Sequence, residues 1–346
     1  MDTDSLPALL DRALAARTAL IDPRHETAFR LFNGFNEGNP QLVIEVYAAT
    51  VVIGNYADPA EAGEPAVAEA RAWLREKLPW VETVVLKTRN SPLVEDRNGR
   101  ILEGDRAARR IRENGVWYAV DLCRNRDTGF FSDTRLLREW LKANLNGKSV
   151  LNTFAYTGSL GVAALAGGAA RVVQTDLSRN FLNQAKTSYS MNGFPIVKKD
   201  FIAGDFFSIA GRLKRQGELF DCVILDPPFF AAGERGVIDQ EHNCDRTINK
   251  VRPLINDGGY LVSVNNALYF SGKDYLDMLG KLCADGYLSI ETTIPIPLDF
   301  VVGAPSAGLP DPAPFNHPTK IVILKVRRKP SDKEPDNRAV AEETTE

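Results

Sequence analysis

Four apolar runs in the second half of the chain each end in residues fit for chemistry. The first, "SVLNTF", runs into "NTFAYTGSLG", where Asn152, Phe154, Tyr156 and Thr157 precede Gly158 and Gly161. Glycines there let backbone approach a ligand and let a helix start tightly. The second run ends at Asp176-Leu177, with Asp176 18 residues beyond Gly158. An acid at that distance suits ribose hydroxyls. The third ends in Gly-Asp205-Phe206, an acid placed to read an adenine amino group, and the fourth in Asp226-Pro227-Pro228-Phe229-Phe230. Each motif also has a plain structural reading. Asp176 and Asp205 could cap helices, the glycines could serve a turn, the prolines could stop a strand, and the phenylalanines could be core. Four such ends in strand order are harder to obtain from turn chemistry alone.

The elements that must carry these ends alternate. From about Asp127 the chain reads strand, helix, strand, helix: "RVVQTDL" then "SRNFLNQAKTSYSMNG", "VKKDFIAGD" then "FFSIAGRLKRQG", "FDCVILD" then a helix near Asp239 to Leu254, "GGYLVSV" then "GKDYLDMLGKLCADG". Such alternation predicts an α/β fold with a parallel sheet covered on both faces. Two late strands, "LSIETTIPI" and "TKIVILKVRR", predict a hairpin and one antiparallel strand at the sheet's end. Residues 1–126 read as a smaller α+β module: a helix near Leu6–Ala19, the strand pair in "QLVIEVYAATVVIGNY", an amphipathic "PAVAEARAWLREKL", and the strands "VETVVLKT" and "VWYAVDL". The division is thus 1–126, 127–328, and a charged, apolar-poor tail 329–346 expected to be disordered.

Open α/β sheets bind ligands beyond the carboxyl ends of their strands. A nicotinamide cofactor would need the G-x-G-x-x-G phosphate turn. "FAYTGSLG" has one glycine fewer, with Phe154 and Tyr156 early in it. S-adenosylmethionine has no pyrophosphate to cradle, and its cationic tail gives Asp226 a purpose. Bulk properties narrow the partners. Net charge is −3 and pI about 5.8, so any nucleic-acid contact needs a local patch. The candidate patch is "RNGRILEGDRAARRIR", six arginines against two acids, with Arg106, Arg109 and Arg110 at its centre. No apolar run approaches a membrane span, no signal peptide is recognisable, and Cys123, Cys222, Cys244 and Cys283 form no metal-like pairs. These features predict a reduced, cytoplasmic protein without membrane or metal.

"DTGFFSDTR", "VLNTFAYTGSLGVAALAGGAARVVQTDLS", "FDCVILDPPFF" and "LVSVNNALYF" together resemble the class I methyltransferases of bacterial 23S ribosomal RNA. The similarity spans roughly Val85 to Arg328, including "VLKTRN" and "HPTK", and is nearest the guanine-N7 half of the fused large-subunit enzyme. The cytosine-C5 enzymes are more distant. The resemblance implies a Rossmann-like seven-stranded methyltransferase domain. It implies Asn152, Phe154, Tyr156, Thr157 and Gly158 on the methionine and ribose side of the cofactor, Asp176 and Leu177 at the ribose, and Asp205 and Phe206 at the adenine. Asp226, Pro227, Pro228 and Phe230 would face the transferring methyl, with Asp133 and Arg135 closing over the cofactor. Phe229, Asn265 and Asn266 would meet the substrate. The cytosine-C5 enzymes carry a cysteine nucleophile after the fifth strand, where this chain reads "VSVNNALYF". That departure favours direct transfer to a base nitrogen. Two other readings stay open: a methyltransferase of a small planar metabolite or protein side chain, and a non-catalytic RNA-binding factor. A homodimer stays open as well.

Overall fold

The computed structural model describes residues 4–233, 235–300 and 319–328. The tail 329–346 lies outside them. The N-terminal elements are α1 (Leu6–Arg17), β1 (Ala28–Asn33), β2 (Leu42–Tyr47), β3 (Thr50–Asn55), α2 (Glu64–Lys77), β4 (Thr83–Thr88), α3 (Val94–Asn98) and β5 (Arg100–Glu103). Prolines in the first turns of α1 and α2 preset the helical φ. The five strands form one sheet in sequence order, with β3 and β4 parallel across the α2 crossover. Leu10 and Ala13 of α1 and Ala70, Trp73 and Leu74 of α2 cover one face.

The other face is not free. A hairpin, β6 (Arg110–Glu113) and β7 (Val116–Ala119), comes next. Its Ile111 and Tyr118 join Tyr47, Val52 and Val85 of the first sheet and Phe130, Val162 and Tyr189 from beyond residue 126 in one cluster. The two sheets are therefore bonded through a shared core.

The second sheet is built from α4 (Arg135–Asn144), β8 (Ser149–Thr153), α5 (Ser159–Ala166), β9 (Arg171–Asp176), α6 (Arg179–Met191), β10 (Phe201–Ala203), α7 (Phe206–Arg215) and β11 (Phe220–Leu225). A second hairpin follows, β12 (Phe230–Gly233) and β13 (Gly236–Asp239), then α8 (Cys244–Val251), β14 (Ile255–Asn265), α9 (Gly272–Cys283), β15 (Leu288–Ile294) and β16 (Lys320–Val326). Strand order is β10-β9-β8-β11-β14-β16-β15. The order reverses between β8 and β11, which puts a cleft above their carboxyl ends.

Two expectations are corrected. The antiparallel strand β16 is not at the sheet's end but lies between β14 and β15, pairing antiparallel with both. All but one residue of β16 is buried, whereas β15 is exposed along Ser289–Glu291. The more apolar strand takes the inner place. The helix expected from Asp239 starts at Cys244, because the β12–β13 hairpin occupies the residues before it. Among the described residues no helix is long and apolar enough to cross a membrane.

Candidate active site

The loop after β8 is held in an unusual backbone shape. Phe154, Tyr156 and Gly158 all take positive φ, at 53°, 51° and 79°. For the two non-glycines this costs on the order of 1–3 kcal/mol each and persists only where surroundings impose it. Here they do: Ala155 N–H donates to Thr175 O (2.8 Å), Tyr156 N–H to Asp176 Oδ2 (2.8 Å), and Thr157 Oγ1 to Gly129 O (2.6 Å). Tyr156 stacks edgewise on Phe181 (4.4 Å) and near Phe131 (5.6 Å), and Phe154 packs on Phe206 (4.6 Å). Beneath the loop, buried Asn152 donates to Gln174 Oε1 at 2.8 Å while its own Oδ1 has no partner.

Gly158 and Gly161 are both required by packing. A Cβ on Gly158 would lie 2.6 Å from Ala185 Cβ, and one on Gly161 2.2 Å from Gln174 Nε2. They let α5 close on α6 and on β9.

Asp176 accepts N–H groups from Tyr156 and Ser178, one per oxygen, both at 2.8 Å. Burial raises its pKa against these bonds. A carboxylate oxygen takes two donors, so each retains a lone pair for a ribose hydroxyl. Beside it Leu177 is 78% exposed, an apolar side chain turned to solvent. Asp205 caps α7, with Oδ1 accepting from Ser208 N and Oγ, while Oδ2 has no partner among the described residues. Capping and ligand roles thus use different oxygens.

Asp226 has no hydrogen-bond partner among the described residues. Burial, and then the field of Asp133, pushes its pKa up to about 7. Asp133 Oδ2 accepts from Thr319 Oγ1 at 2.6 Å, and its Oδ1 is buried without a partner among the described residues. The two carboxyls act on each other through space, and both keep acceptor capacity unused among the described residues. Pro227 is buried, Pro228 exposed, and Phe229 and Phe230 stand 45% and 57% exposed.

Several expected site residues are placed elsewhere. Arg135 does not close over the cleft. Its guanidinium binds Asp299 (2.9 and 3.1 Å) and Ala28 O (3.0 Å), because Asp299 is buried and needs a cation. Asn265 is fully buried and its amide is engaged within the protein: Nδ2 donates to Gln240 O and Oδ1 accepts from Ala267 N. Asn266, one residue on, keeps Oδ1 unpartnered. Arg106, Arg109 and Arg110 are exposed and without ion pairs among the described residues, with Arg110 stacked 4.5 Å over Trp117. Trp117 is tied to Asn192, past the far end of the 13-residue α6. At 1.5 Å per residue that is about 20 Å from Asp176, so Arg110 is not gathered with the strand-end residues. Gln240, Asp299 and Thr319 were not singled out as site residues. The first two are isolated polar residues without a motif, and Thr319 lies within "HPTK". Among the described residues no group of three or more His, Cys, Asp or Glu is arranged for a metal.

The open acceptors on Asp176, Asp205 and Asp226 and the bare Leu177 fit an adenosine with a cationic tail. Comparison with known proteins agrees. Residues 68–310 match the S-adenosylmethionine-dependent methyltransferase family. The chain is 33% identical to "Ribosomal RNA large subunit methyltransferase I" of Aeromonas salmonicida over 291 residues, 83% of this chain and 72% of that one. It is 30% identical to the same-named protein of Aliivibrio fischeri over 296 residues, covering 85% and 74%. It is also 30% identical to that of Photobacterium profundum over 265 residues, covering 76% and 66%. The chain thus spans about two thirds to three quarters of these relatives' length. In fold it is similar to a protein assigned as a methyltransferase and crystallised with S-adenosylhomocysteine: TM-score 0.80, 23% identity, 93% of this chain and 81% of that one. The chain belongs to the S-adenosylmethionine-dependent methyltransferases, and S-adenosylmethionine is its cofactor.

Proposed function

We propose that this enzyme methylates a base nitrogen of 23S ribosomal RNA by direct, non-covalent transfer, working in the cytoplasm. The observation that carries the reading is the placing of Asp226, unpartnered among the described residues, beside exposed Phe229 and Phe230 in one short segment. A splayed base can stack on such a ring while the carboxylate holds its polar edge. The relatives' names supply the RNA class.

The bound cofactor supplies an electrophilic methyl on a cationic sulfur. The chain's residues do the rest. Asp176 takes the ribose hydroxyls, Leu177 and Asp205 Oδ2 take the adenine, and Asp226 with Asp133 offers the cationic end an unpaired negative charge. Positioning supplies most of the rate, since a ring nitrogen already has a lone pair. Cysteine attack is disfavoured by the thiols themselves. Burial raises Cys123 and Cys283, raises Cys244 to about 11, and raises Cys222 in mid-strand further still. Methyl transfer from labelled S-adenosylmethionine to RNA, protein and small-molecule extracts tests the class. Label in the RNA fraction is expected, and label confined to either other fraction overturns it. A covalent adduct trapped on 5-fluoropyrimidine RNA overturns the non-covalent step.

Asp176→Ala is expected to weaken cofactor binding, since hydrogen bonds to a charged group are worth about 1.5–3 kcal/mol. Calorimetry showing unchanged affinity removes Asp176 from the site. We take residues 1–126 as an RNA-contacting module joined to the methyltransferase domain 127–328. Arg106, Arg109 and Arg110 changed together to Ala should weaken RNA binding and flatten its salt dependence. The expected loss is about 0.7 in log–log slope per single-strand phosphate contact. Cofactor affinity should not move, given the distance from Asp176. An unaltered salt slope makes the patch plain solvated surface.

A further inference from the structure

We propose that Gln240 is a positioning residue: its buried side-chain amide clamps the Pro227 carbonyl to the end of β14, and so sets where Asp226 and Phe229 stand in the cleft. Gln240 follows β13 and is 1% exposed. Its Nε2 donates to Pro227 O at 3.0 Å and to Val264 O at 3.3 Å. Its backbone N–H donates to Phe229 O at 3.0 Å, and its backbone carbonyl accepts from Asn265 Nδ2 at 2.7 Å. One residue therefore ties the loop after β11, from both sides of Pro228, to the end of β14. The β12–β13 pairing delivers it there, since Phe230 faces Asp239 in register.

The amide orientation follows from its neighbours: turned over, Oε1 would face two carbonyl oxygens. This orientation leaves Oε1 buried without a partner among the described residues. An unmet buried acceptor costs free energy, so Gln240 is a poor choice for packing alone and a suitable one for a clamp. The loop has little else to hold it. Phe229, Phe230, Ala232 and Gly233 are exposed, and within the hairpin strands only Ile238 is buried. Pro227 is next to Asp226 and its ring fixes φ, so holding its carbonyl holds the chain one residue from the carboxylate. Asp133 is the charged group acting on Asp226 from the facing segment.

The inference rests on Asp226 belonging to the active site, so Asp226→Asn serves as the reference. Gln240→Met keeps the volume and removes both donors. Gln240→Asn keeps the amide but retreats by one bond, about 1.5 Å, and serves if the first variant folds poorly. Two readouts are taken. One is kcat for methyl transfer to deproteinised ribosomal RNA, beside the Kd for S-adenosylhomocysteine. The other is the carboxyl titration of Asp226 in the ligand-free protein, followed by carbon-13 NMR. The expected result is a kcat lower by tenfold or more with Kd within twofold. The Asp226 midpoint should fall from about 7 by at least one pH unit as the loop loosens and water reaches the carboxylate. An unchanged midpoint overturns the clamp, whether or not kcat falls, because a lowered kcat alone is general structural damage. If Asp226→Asn keeps full activity, the site assignment fails and takes the clamp with it. If Asp226→Asn is inactive while the Gln240 variants match wild type, the clamp alone fails.

Discussion

Asp226→Asn is expected to lower methyl transfer by about two orders of magnitude while making the protein more stable at neutral pH. The first effect follows from removing a preorganised charge at the reacting centre, where single groups are worth about 10²–10³ in rate. The second follows from linkage. The Asp226 carboxyl is raised from 3.8 to about 7 in the folded chain, so the native state binds a proton that the unfolded state has released. Stability is therefore highest below pH 4 as far as this group is concerned. It falls as pH rises toward 7, by on the order of 2–4 kcal/mol at about 1.4 kcal/mol per unit. Asparagine carries no such cost. Denaturant melts at pH 5 and pH 8 should show the wild type losing stability relative to the variant as pH rises. The activity should follow the opposite sign: kcat/KM climbing through about pH 7 in the wild type as Asp226 ionises, and flat there in the variant. A variant that loses activity without gaining stability at pH 8 would mean that Asp226 is not strained in the folded state. A wild-type profile flat from pH 6 to 8 would mean that its charge is not used.

The parts of this site legible in the sequence share one property: each sits at the end of an apolar run whose length and neighbours identify it as a strand. Asp176, Asp205 and Asp226 follow "RVVQT", "FIAG" and "CVIL", so the sheet rule places them without further information. What the sequence concealed depends on contacts distant along the chain. Arg135 looks free at the start of α4, yet Asp299, 164 residues on, claims it. Asn265 sits at a strand end like the acids, but the β12–β13 hairpin returns Gln240 against it and engages its amide. That hairpin escaped because Phe230–Gly233 and Gly236–Asp239 are four residues each with one buried residue between them, too short for a period-two pattern. Gly158 and Gly161 were read for their freedom near a ligand, whereas Ala185 and Gln174 are what press on them. Residue type and local spacing find the acids; which oxygen remains open is decided by the fold.

Arg138→Met should destabilise the protein by about 3–5 kcal/mol, the range for breaking a buried ion pair from one side. Against a total of about 5–15 kcal/mol that is a large share. Arg138 is 1% exposed and donates Nε and Nη2 to Glu113 at 2.6 and 2.8 Å. Its Nη1 donates to Phe131 O and Thr134 Oγ1, both at 2.8 Å, and the guanidinium lies 4.1 Å over the Phe130 ring. Without it Glu113, itself 4% exposed, keeps only Arg135 at 3.5 Å among the described residues. The consequences then separate. Changing Glu113→Leu in the same chain removes the stranded carboxylate and should recover much of the lost stability, as apolar replacement of a whole buried pair does. It should not recover cofactor affinity. Phe131 and Thr134 flank Asp133, and in both the single and the double variant they lose the guanidinium that fixes them. Urea midpoints and calorimetry on the two variants test this together. A single variant within about 0.5 kcal/mol of wild type, the range of an ordinary surface change, would show that the pair contributes no net stability. A double variant that regains cofactor affinity along with stability would show that Arg138 acts only through Glu113, and that the segment carrying Asp133 is held by other means.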